Sequence, residues 1–399
     1  MNLFIKKFGG TSVGSIDRIM AVADRIYECH QSGEKMVIVL SAMSGETNRL
    51  VQMAQEINPA YKGMAYDMLL ASGEQVSISL LSIALNKKGL SAVPLLAYQV
   101  GIQTDSLFSS ARIQNINTDL ILKLIKQNKI PLIAGFQGIN KDNQITTLGR
   151  GGSDITAVAL SAALKQSTCE IYTDVPNIYT ADPRLVKTAR KITQLSFEEM
   201  MEMAILGTKV LHFRCVELAA KFNIKVHLRS TFEKTSGTWV LPKEEIMESP
   251  IVSSVISDMN TCIIKLFPIP AGVEFISNVF NKLSEKSIIV DVISQSYNSE
   301  GQRLAFSIKE EQLSSALEIL SPLLGQDKIT VIKDVAKVSI VGVGMANQSG
   351  VAAQFFETIK NSSAHLHLIT TSDIKISAIV DKNNSLPLMK GLHKTFNLE

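Results

Sequence analysis

The chain has 399 residues, 46% of them hydrophobic and 19% charged, with a formal net charge of +3. That length calls for two or three domains, each able to bury its own core. The small charge and the lack of a Lys/Arg block exclude a nucleic-acid stripe, and the lack of a long basic amphipathic helix excludes a membrane-surface protein.

Apolar runs are strand-sized, as in "MVIVL" (36–40), and fall short of a membrane span. Leu3–Ile5 is too short for a signal-peptide core, so the expected compartment is the cytoplasm. Cys29, Cys169, Cys215 and Cys262 are far apart and form no C-x-x-C pair. They read as incidental thiols in a reducing compartment.

The first ~240 residues alternate strand and helix signals, the mark of an open α/β sheet. "MNLFIKKF" reads as a strand running into "GGTSVG", with Ser15 capping a helix that stops near Gly33. "MVIVLSAM" (36–43) is a buried strand opening into "SGETN" (44–48). "SGEQVSISLLSIALNKKG" (72–89) reads as a helix, and "IPLIAGFQG" (130–138) as another strand opening into a glycine loop. "NKDNQ" (140–144) has hairpin-turn chemistry. An alanine-rich helix (153–165) and the strand "CEIYTDV" (169–175) follow. Each strand's carboxyl end meets a polar or glycine-rich loop, where open α/β sheets place ligands.

Beyond "EKTSGTWVLPKEE" (233–245) the pattern changes. "VDVISQS" (290–296) and "LHLITTS" (366–372) are strands in corresponding positions, each after a glycine-led helix (271–283 and 349–360). They read as two β-α-β-β-α-β copies of about seventy residues each. Strand alternation puts His365 and His367 on one face. With no acid or cysteine near in sequence, a packed or solvated face is favoured over a metal site.

The chemistry gathers in the loops. In "KKFGGTSVG" (6–14) lysines precede the glycines, the reverse of a Walker loop. In "TLGRGGSD" (147–154) glycines let backbone N–H groups approach an anion, Arg150 offers a fork for a carboxylate, and Asp154 stands at a helix N-terminus. Glu74 of "SGE" (72–74), the strand end "YTDV" (172–175), "IYTADPR" (178–184) and Lys209 complete the inventory. No Ser-His-Asp order or cysteine nucleophile stands out. Cations, glycine nests and few acids suit phosphoryl transfer, where positioning and charge stabilisation do most of the catalysis.

The run "KFGGTSVG", "SAMSGETN", "SGEQ", "GFQG", "TTLGRGGSD", "YTDV", "YTADPR", "GTKVLH" resembles the aspartokinases, in order and spacing, over essentially the whole chain. "LITTSDIKIS" (368–377) is similar to a strand pair of their second ACT repeat. The resemblance implies an amino acid kinase fold, a carbamate kinase-like α/β sandwich over 1–245. Two ferredoxin-like α+β ACT repeats would follow, at 246–335 and 336–399. It implies transfer of the γ-phosphoryl of ATP to the β-carboxylate of L-aspartate, giving 4-phospho-L-aspartate for lysine, threonine and methionine biosynthesis.

By matched position, Lys7 would contact the transferring phosphoryl group, with Gly9 and Gly10 donating N–H bonds beside it. Ser41, Thr47, Glu74, Arg150, Ser153 and Asp154 would surround aspartate. Asp154 would also orient Lys7 and Lys209. Thr173, Asp174, Tyr179, Arg184, Lys209 and Val210 would line the nucleotide site. Magnesium would ride on the ATP phosphates, with no dedicated protein metal site. An ionised acceptor carboxylate needs no general base. ACT pairing implies a homodimer or larger assembly, and Met247 is a weak candidate for an internal start.

Two places depart from the family pattern. "TDVPNIY" (173–179) replaces T-D-V-D-G-[VI]-Y, with Asn177 expected to take the left-handed conformation of the missing glycine. "FPIPAGVEF" (267–275) lacks the acid of D-K-P-G, and "NQSG" (347–350) stands where H-P-G is common, although Gln295 remains at an effector-binding position. Weak or altered control by lysine or threonine is the expectation. The competing readings are an amino acid kinase for another small carboxylate and a catalytically inactive ACT-containing amino-acid sensor.

Overall fold

The computed structural model describes residues 3–208, 210–248, 250–299 and 301–399. The chain forms two compact units. The first comprises the residues up to Ile178 together with Lys191–Met247; the second comprises Tyr179–Arg190 and Glu248–Glu399. The expected cut at 245 is thus interrupted. Residues 179–190 leave the kinase-like stretch because Ala181 and Val186 are buried with Val252, Val255, Val338 and Ile340 in the core of the second unit.

The first unit is built on an eight-stranded sheet. Its order across the sheet is Gln194–Ser196, Thr238–Leu241, Lys225–Ser230, Thr168–Thr173, Leu3–Phe8, Lys35–Leu40, Ile130–Ala134, Ala92–Leu95. The strands from Lys225–Ser230 to Ala92–Leu95 pair in parallel. Their near-continuous apolar runs match burial on both faces. Phe8, Ile38, Leu40, Leu132 and Tyr172 share one core with Ile19, Val22 and Ile26 of helix α1 (Ile16–Gln31) and with Ile78, Leu81 and Leu85 further along the chain. Ser15 caps α1 by accepting from Arg18 N.

Helix α2 spans Glu46–Ile57 and helix α3 Met64–Lys87, so α3 begins eight residues before the expected start at 72. By length and composition α3 could cross a membrane. Its inner face instead carries Asp67, Glu74 and Ser77, all buried, while Met64, Met68, Val76 and Ile83 are exposed. These polar groups are buried beside Leu70, Ile78, Leu81 and Leu85 of the same helix, a costly placement unless they find partners or a ligand.

The stretch 130–138 divides at Gly135–Phe136, where Phe136 takes φ +70°, and resumes as Gln137–Ile139. That short strand pairs antiparallel with Ile145–Thr147 around the 140–144 turn. Both belong to a four-stranded sheet with Ile102–Thr104 and Ile113–Ile116. Helix α4 is Asp119–Lys126, helix α5 Gly152–Ala163, helix α6 Phe197–Ile205 and helix α7 Phe213–Phe222.

The second unit holds a six-stranded antiparallel sheet. The two copies are nested in it. The strand Ser254–Ile269 pairs through 254–258 with 337–341, and through 263–266 with 329–332 of the same long strand, Ile329–Val341. One half carries helix α8 (Val273–Glu285), strands Ile293–Asn298 and Gly301–Ile308, and helix α9 (Leu313–Leu324). The other carries helix α10 (Val351–Asn361), strands Leu366–Ser372 and Lys375–Asp381, and helix α11 (Lys382–Thr395). A tandem cut at 335/336 therefore divides a continuous strand.

Candidate active site

Strand alternation sends the two lysines before the glycines to opposite faces. Lys6 is buried, 2.5 Å from Glu34 Oε2 and 3.3 Å from Glu170 Oε2. Burial opposes its charge, but the carboxylates of Glu170 and Glu34 outweigh that and raise its pKa. It is a structural cation. Lys7 faces α5, and its Nζ lies 2.5 Å from Asp154 Oδ1. The pair lies off the line of a hydrogen bond, a Coulombic contact with most of the ammonium's donor capacity left over.

Gly9 N–H donates to Tyr172 O at 3.0 Å, so this expected phosphate donor is already engaged in joining two strand ends. Gly10 opens the short 3-10 turn Gly10–Val13, and a Cβ there would lie 2.7 Å from Ala42 O. Ser12 is fully buried and shares a hydrogen bond of 2.6 Å with Thr231 Oγ1. The loop after the first strand is thereby fixed against the 41–45 loop, with Ser44 N donating to Gly10 O at 3.1 Å.

Glu74 approaches the 41–45 loop from α3. Its Oε1 accepts from Ala42 N at 3.0 Å, and Ser77 Oγ, one turn on, donates to Ser41 O at 2.8 Å. Glu74 Oε2 is buried with no hydrogen-bond partner among the described residues. Burial pushes the carboxyl's pKa up to about 8, against the Ala42 N–H that favours the ionised form. A buried, half-satisfied carboxylate is stabilised by an incoming cation. Thr47, half-buried, lies in the first turn of α2.

The loop into α5 needs its glycines. Gly149 and Gly151 take φ of +76° and +70°, and a Cβ on Gly151 would come within 2.3 Å of His212 Cβ. Arg150 between them is exposed, while Ser153 and Asp154 are buried in the first turn of α5. Gly135, at the end of Ile130–Ala134, packs so closely that a Cβ would lie 2.7 Å from Ser153 Cβ. His212 caps α7 by accepting from Arg214 N. Burial lowers its pKa, Arg214 and Arg150 add to the effect, and Asp154 opposes it.

At the end of Thr168–Thr173, Thr173 Oγ1 donates to Asp174 Oδ1 at 3.1 Å, and Asp174 is exposed. Asn177 does not adopt the expected left-handed conformation. It is buried, its Nδ2 is 3.4 Å from Thr238 Oγ1, and Ile178 N donates to the same hydroxyl at 3.0 Å. Anchoring of the following residues replaces the flexible glycine turn.

Lys7, Gly9, Gly10, Ser41, Glu74, Ser153, Asp154 and Thr173 thus meet at the carboxyl ends of adjacent parallel strands or on the helices packed there. Val210 is half-buried before α7, and Lys209 lies outside the described residues. Tyr179, Arg184 and Gln295 belong to the second unit. Arg184 is exposed and its fork is engaged by Asp182. Gln295 is exposed on its strand. His365 and His367 do share a face, their rings 4.6 Å apart, and His367 Nε2 is 2.7 Å from Asp381 Oδ1 on the neighbouring strand. Sequence reasoning missed Asp67 and Arg214, which lie in no recognisable motif loop, and His212, which ends the "GTKVLH" motif but was given no role.

A family model for the amino acid kinase family matches residues 2–230, and one for the ACT domain matches residues 338–396. The chain is 42% identical over 402 residues to an aspartokinase of Bacillus sp. (strain MGA3), covering 100% of this chain and 98% of that protein. It is 41% identical over 401 residues to aspartokinase 2 of Bacillus subtilis (strain 168), with the same coverage. The crystal structure of E. coli aspartokinase III in complex with aspartate and ADP (R-state) is similar with a TM-score of 0.81 and 25% identity, over 98% of this chain and 99% of that one. Because the kinase model spans more than half of the chain and relatives at this identity span all of it, the chain belongs to the amino acid kinase family, among its aspartokinases.

Proposed function

We propose that this aspartokinase moves the γ-phosphoryl group of ATP to the β-carboxylate of L-aspartate at the strand ends around Lys7. One carboxylate oxygen attacks phosphorus as the bond to the ADP oxygen breaks, and no proton changes hands. The obstacle is repulsion between two anions, which a fixed cation relieves. Lys7 supplies that cation, and Asp154 aims it. Glu74 takes the substrate ammonium on its unpartnered oxygen, Arg150 takes a carboxylate, and Ser41, Thr47 and Ser153 complete the pocket. Thr173, Asp174, Lys209 and Val210 serve the nucleotide.

The observation that carries this reading is the contrast of two buried ionisable groups. Lys7 has a partner but spare donors, and Glu74 has an orphaned oxygen. Magnesium would travel on the triphosphate, supplying charge neutralisation when bound. Among the described residues no group of three His, Cys, Asp or Glu could hold an ion.

Both halves of the six-stranded sheet would be ACT units, since the half outside the matched region repeats the same element order. An E. coli relative has been solved with lysine and aspartate. Here the turn before α8 has no acid ahead of Gly272, whose N–H donates to Gln302 Oε1 at 3.2 Å. Lysine or threonine control is therefore expected to be weak, and strong inhibition at sub-millimolar effector would refute that. A homodimer or larger assembly, checked by light scattering, and a cytoplasmic site of action complete the proposal.

The deciding experiment is a hydroxamate assay, paired with a coupled ADP assay, using aspartate, glutamate and N-acetylglutamate side by side. Turnover confined to aspartate supports the proposal. Preference for either other acid would overturn it, as would ADP formation without hydroxamate.

A further inference from the structure

We infer that Asp67 and Arg214 are positioning residues that set aspartate affinity by holding the stem of the Arg150 loop. This deepens the proposed reading of Arg150 and rests on it.

Asp67 lies in the first turn of α3 and is completely buried. Its carboxylate accepts Ser109 N at 3.0 and 2.9 Å, Ser109 Oγ at 3.0 Å and Thr147 N at 2.6 Å. A carboxylate so heavily bonded to backbone donors is a rigid anchor, because leaving those donors unmet in a dry interior is costly. What it anchors is specific. Thr147 is three residues before Arg150, and Ser109 O would lie only 3.0 Å from a Cβ on Gly149.

Arg214 grips the same two segments from α7. Its Nη1 donates to Leu148 O, and its Nη2 donates to Ala111 O at 3.0 Å. Ala111 N donates to Thr147 O at 2.9 Å, closing the stem. Arg150 is therefore held through residues 147–148 and 109–111 by two buried or half-buried charges that need not touch the ligand.

The placement of Asp67 on α3 gives the arrangement its meaning. Asp67 and Glu74 are seven residues apart, two turns and about 10 Å along one face of the helix. Between them Ala71 O accepts Gln137 Nε2 at 3.1 Å, and Gly73 packs where a Cβ would lie 2.8 Å from Ala42 Cβ. One helix thus holds the proposed ammonium reader directly and the proposed carboxylate reader through its stem. The spacing between the two readers is thereby tied to one helix.

The test is steady-state kinetics with a double-mutant cycle on the full chain. Asp67→Asn keeps the shape but turns an N–H group toward a donor. It should raise KM for aspartate about tenfold while KM for ATP stays within about twofold. Arg214→Lys, which can reach one carbonyl only, should do the same more weakly. Ser109→Ala removes one hydroxyl bond and serves if Asp67→Asn fails to fold; it should raise KM for aspartate about threefold.

If Asp67 acts through Arg150, adding Asp67→Asn to Arg150→Ala should raise KM no further than Arg150→Ala alone, where independent effects would multiply. Multiplying effects, or equal rises in both KM values, would overturn the inference. A wild-type chain that does not phosphorylate aspartate would sink the proposed function itself, so the two failures are separable.

Discussion

The two sides of the candidate site in the first unit are built differently. On the proposed aspartate side, the 41–45 loop and the stem of the Arg150 loop are pinned by buried carboxyls, a hydroxyl and a guanidinium: Glu74, Asp67, Ser77 and the half-buried Arg214. On the proposed nucleotide side, backbone bonds hold Tyr172 and Thr173 and hydroxyls hold Pro176 and Ile178, but Asp174 and Val175 between them are exposed. A pocket for a small dicarboxylic amino acid must discriminate by shape and charge, so it is preorganised before the ligand arrives. A triphosphate brings its own charge and metal and tolerates a looser cradle. Perturbing the first side should change which acid reacts, and perturbing the second should change only how tightly ATP is held.

Lys7 stands where the two sides meet, so its loss should have the largest effect. Lys7→Ala is expected to lower kcat by roughly 10²–10³-fold, as removing one charge-stabilising donor does. Lys6→Ala, one residue away, should lower thermal stability by removing the buried cation that Glu34 and Glu170 share, with a much smaller change in kcat for the protein that remains folded. Single-turnover rates and melting curves on both variants check the contrast. Equal losses of kcat would break it.

Glu74 gives the next effect, and its sign follows from burial. Its carboxyl titrates near 8 in the folded protein against 4.5 for an unperturbed one. Between those values the folded state binds the extra proton. Ionisation of Glu74 therefore costs the unliganded protein stability as pH rises from about 4.5, the cost levelling off above about 8. An ammonium ligand needs the ionised form, so aspartate binding should release a proton. KM for aspartate should fall by up to about tenfold per pH unit as pH approaches 8. Glu74→Gln should abolish that slope and raise KM at pH 8. Calorimetry in buffers of different ionisation enthalpy would count the proton, and no release at pH 6.5 would refute the assignment.

The contrast between the sides also explains what could be read from the chain. The strand-end loops announced themselves through glycines and charged residues after apolar runs. Lys7 and Arg150 were therefore legible as candidates, Glu74 was read from a helix, and alternation alone separates Lys7 from Lys6. Asp67 gave a weaker signal, a lone acid in an apolar helix seven residues before Glu74. Its partners are the Ser109 hydroxyl and backbone N–H groups far along the chain, which leave no local trace in a sequence. The nesting of the two sheet halves was hidden for a similar reason. A strand that serves two copies looks like one long strand, and pairing between 254–258 and 337–341 is a long-range choice. The expectation for Asn177 failed because a buried anchor at Thr238 fixes the turn, which local turn chemistry does not reveal.

Thr238 provides a test of the nucleotide side alone. Its hydroxyl accepts from Ile178 N and donates to Ile192 O at 2.5 Å. Thr238→Val leaves both backbone groups unmet in a buried place. The expected result is a rise of roughly fivefold in KM for ATP with KM for aspartate unchanged, of the size that losing one or two buried hydrogen bonds gives. A matching rise in KM for aspartate would show that the two sides are mechanically one.

Arg184 should give the smallest effect. Its side chain is 87% exposed, and Nε and Nη2 already reach Asp182 at 3.0 and 2.6 Å. Asp182 is itself held below the usual carboxylate range by the hydrogen bonds from Arg184. To meet a phosphate, the guanidinium must leave a carboxylate for another anion, an exchange worth little in water. Arg184→Ala should therefore raise KM for ATP only about threefold at low salt, less at 0.5 M salt, where exposed charges are screened. Its kcat, melting temperature and KM for aspartate should stay as in the parent. A loss of tenfold or more that persists in salt would refute this small role for Arg184.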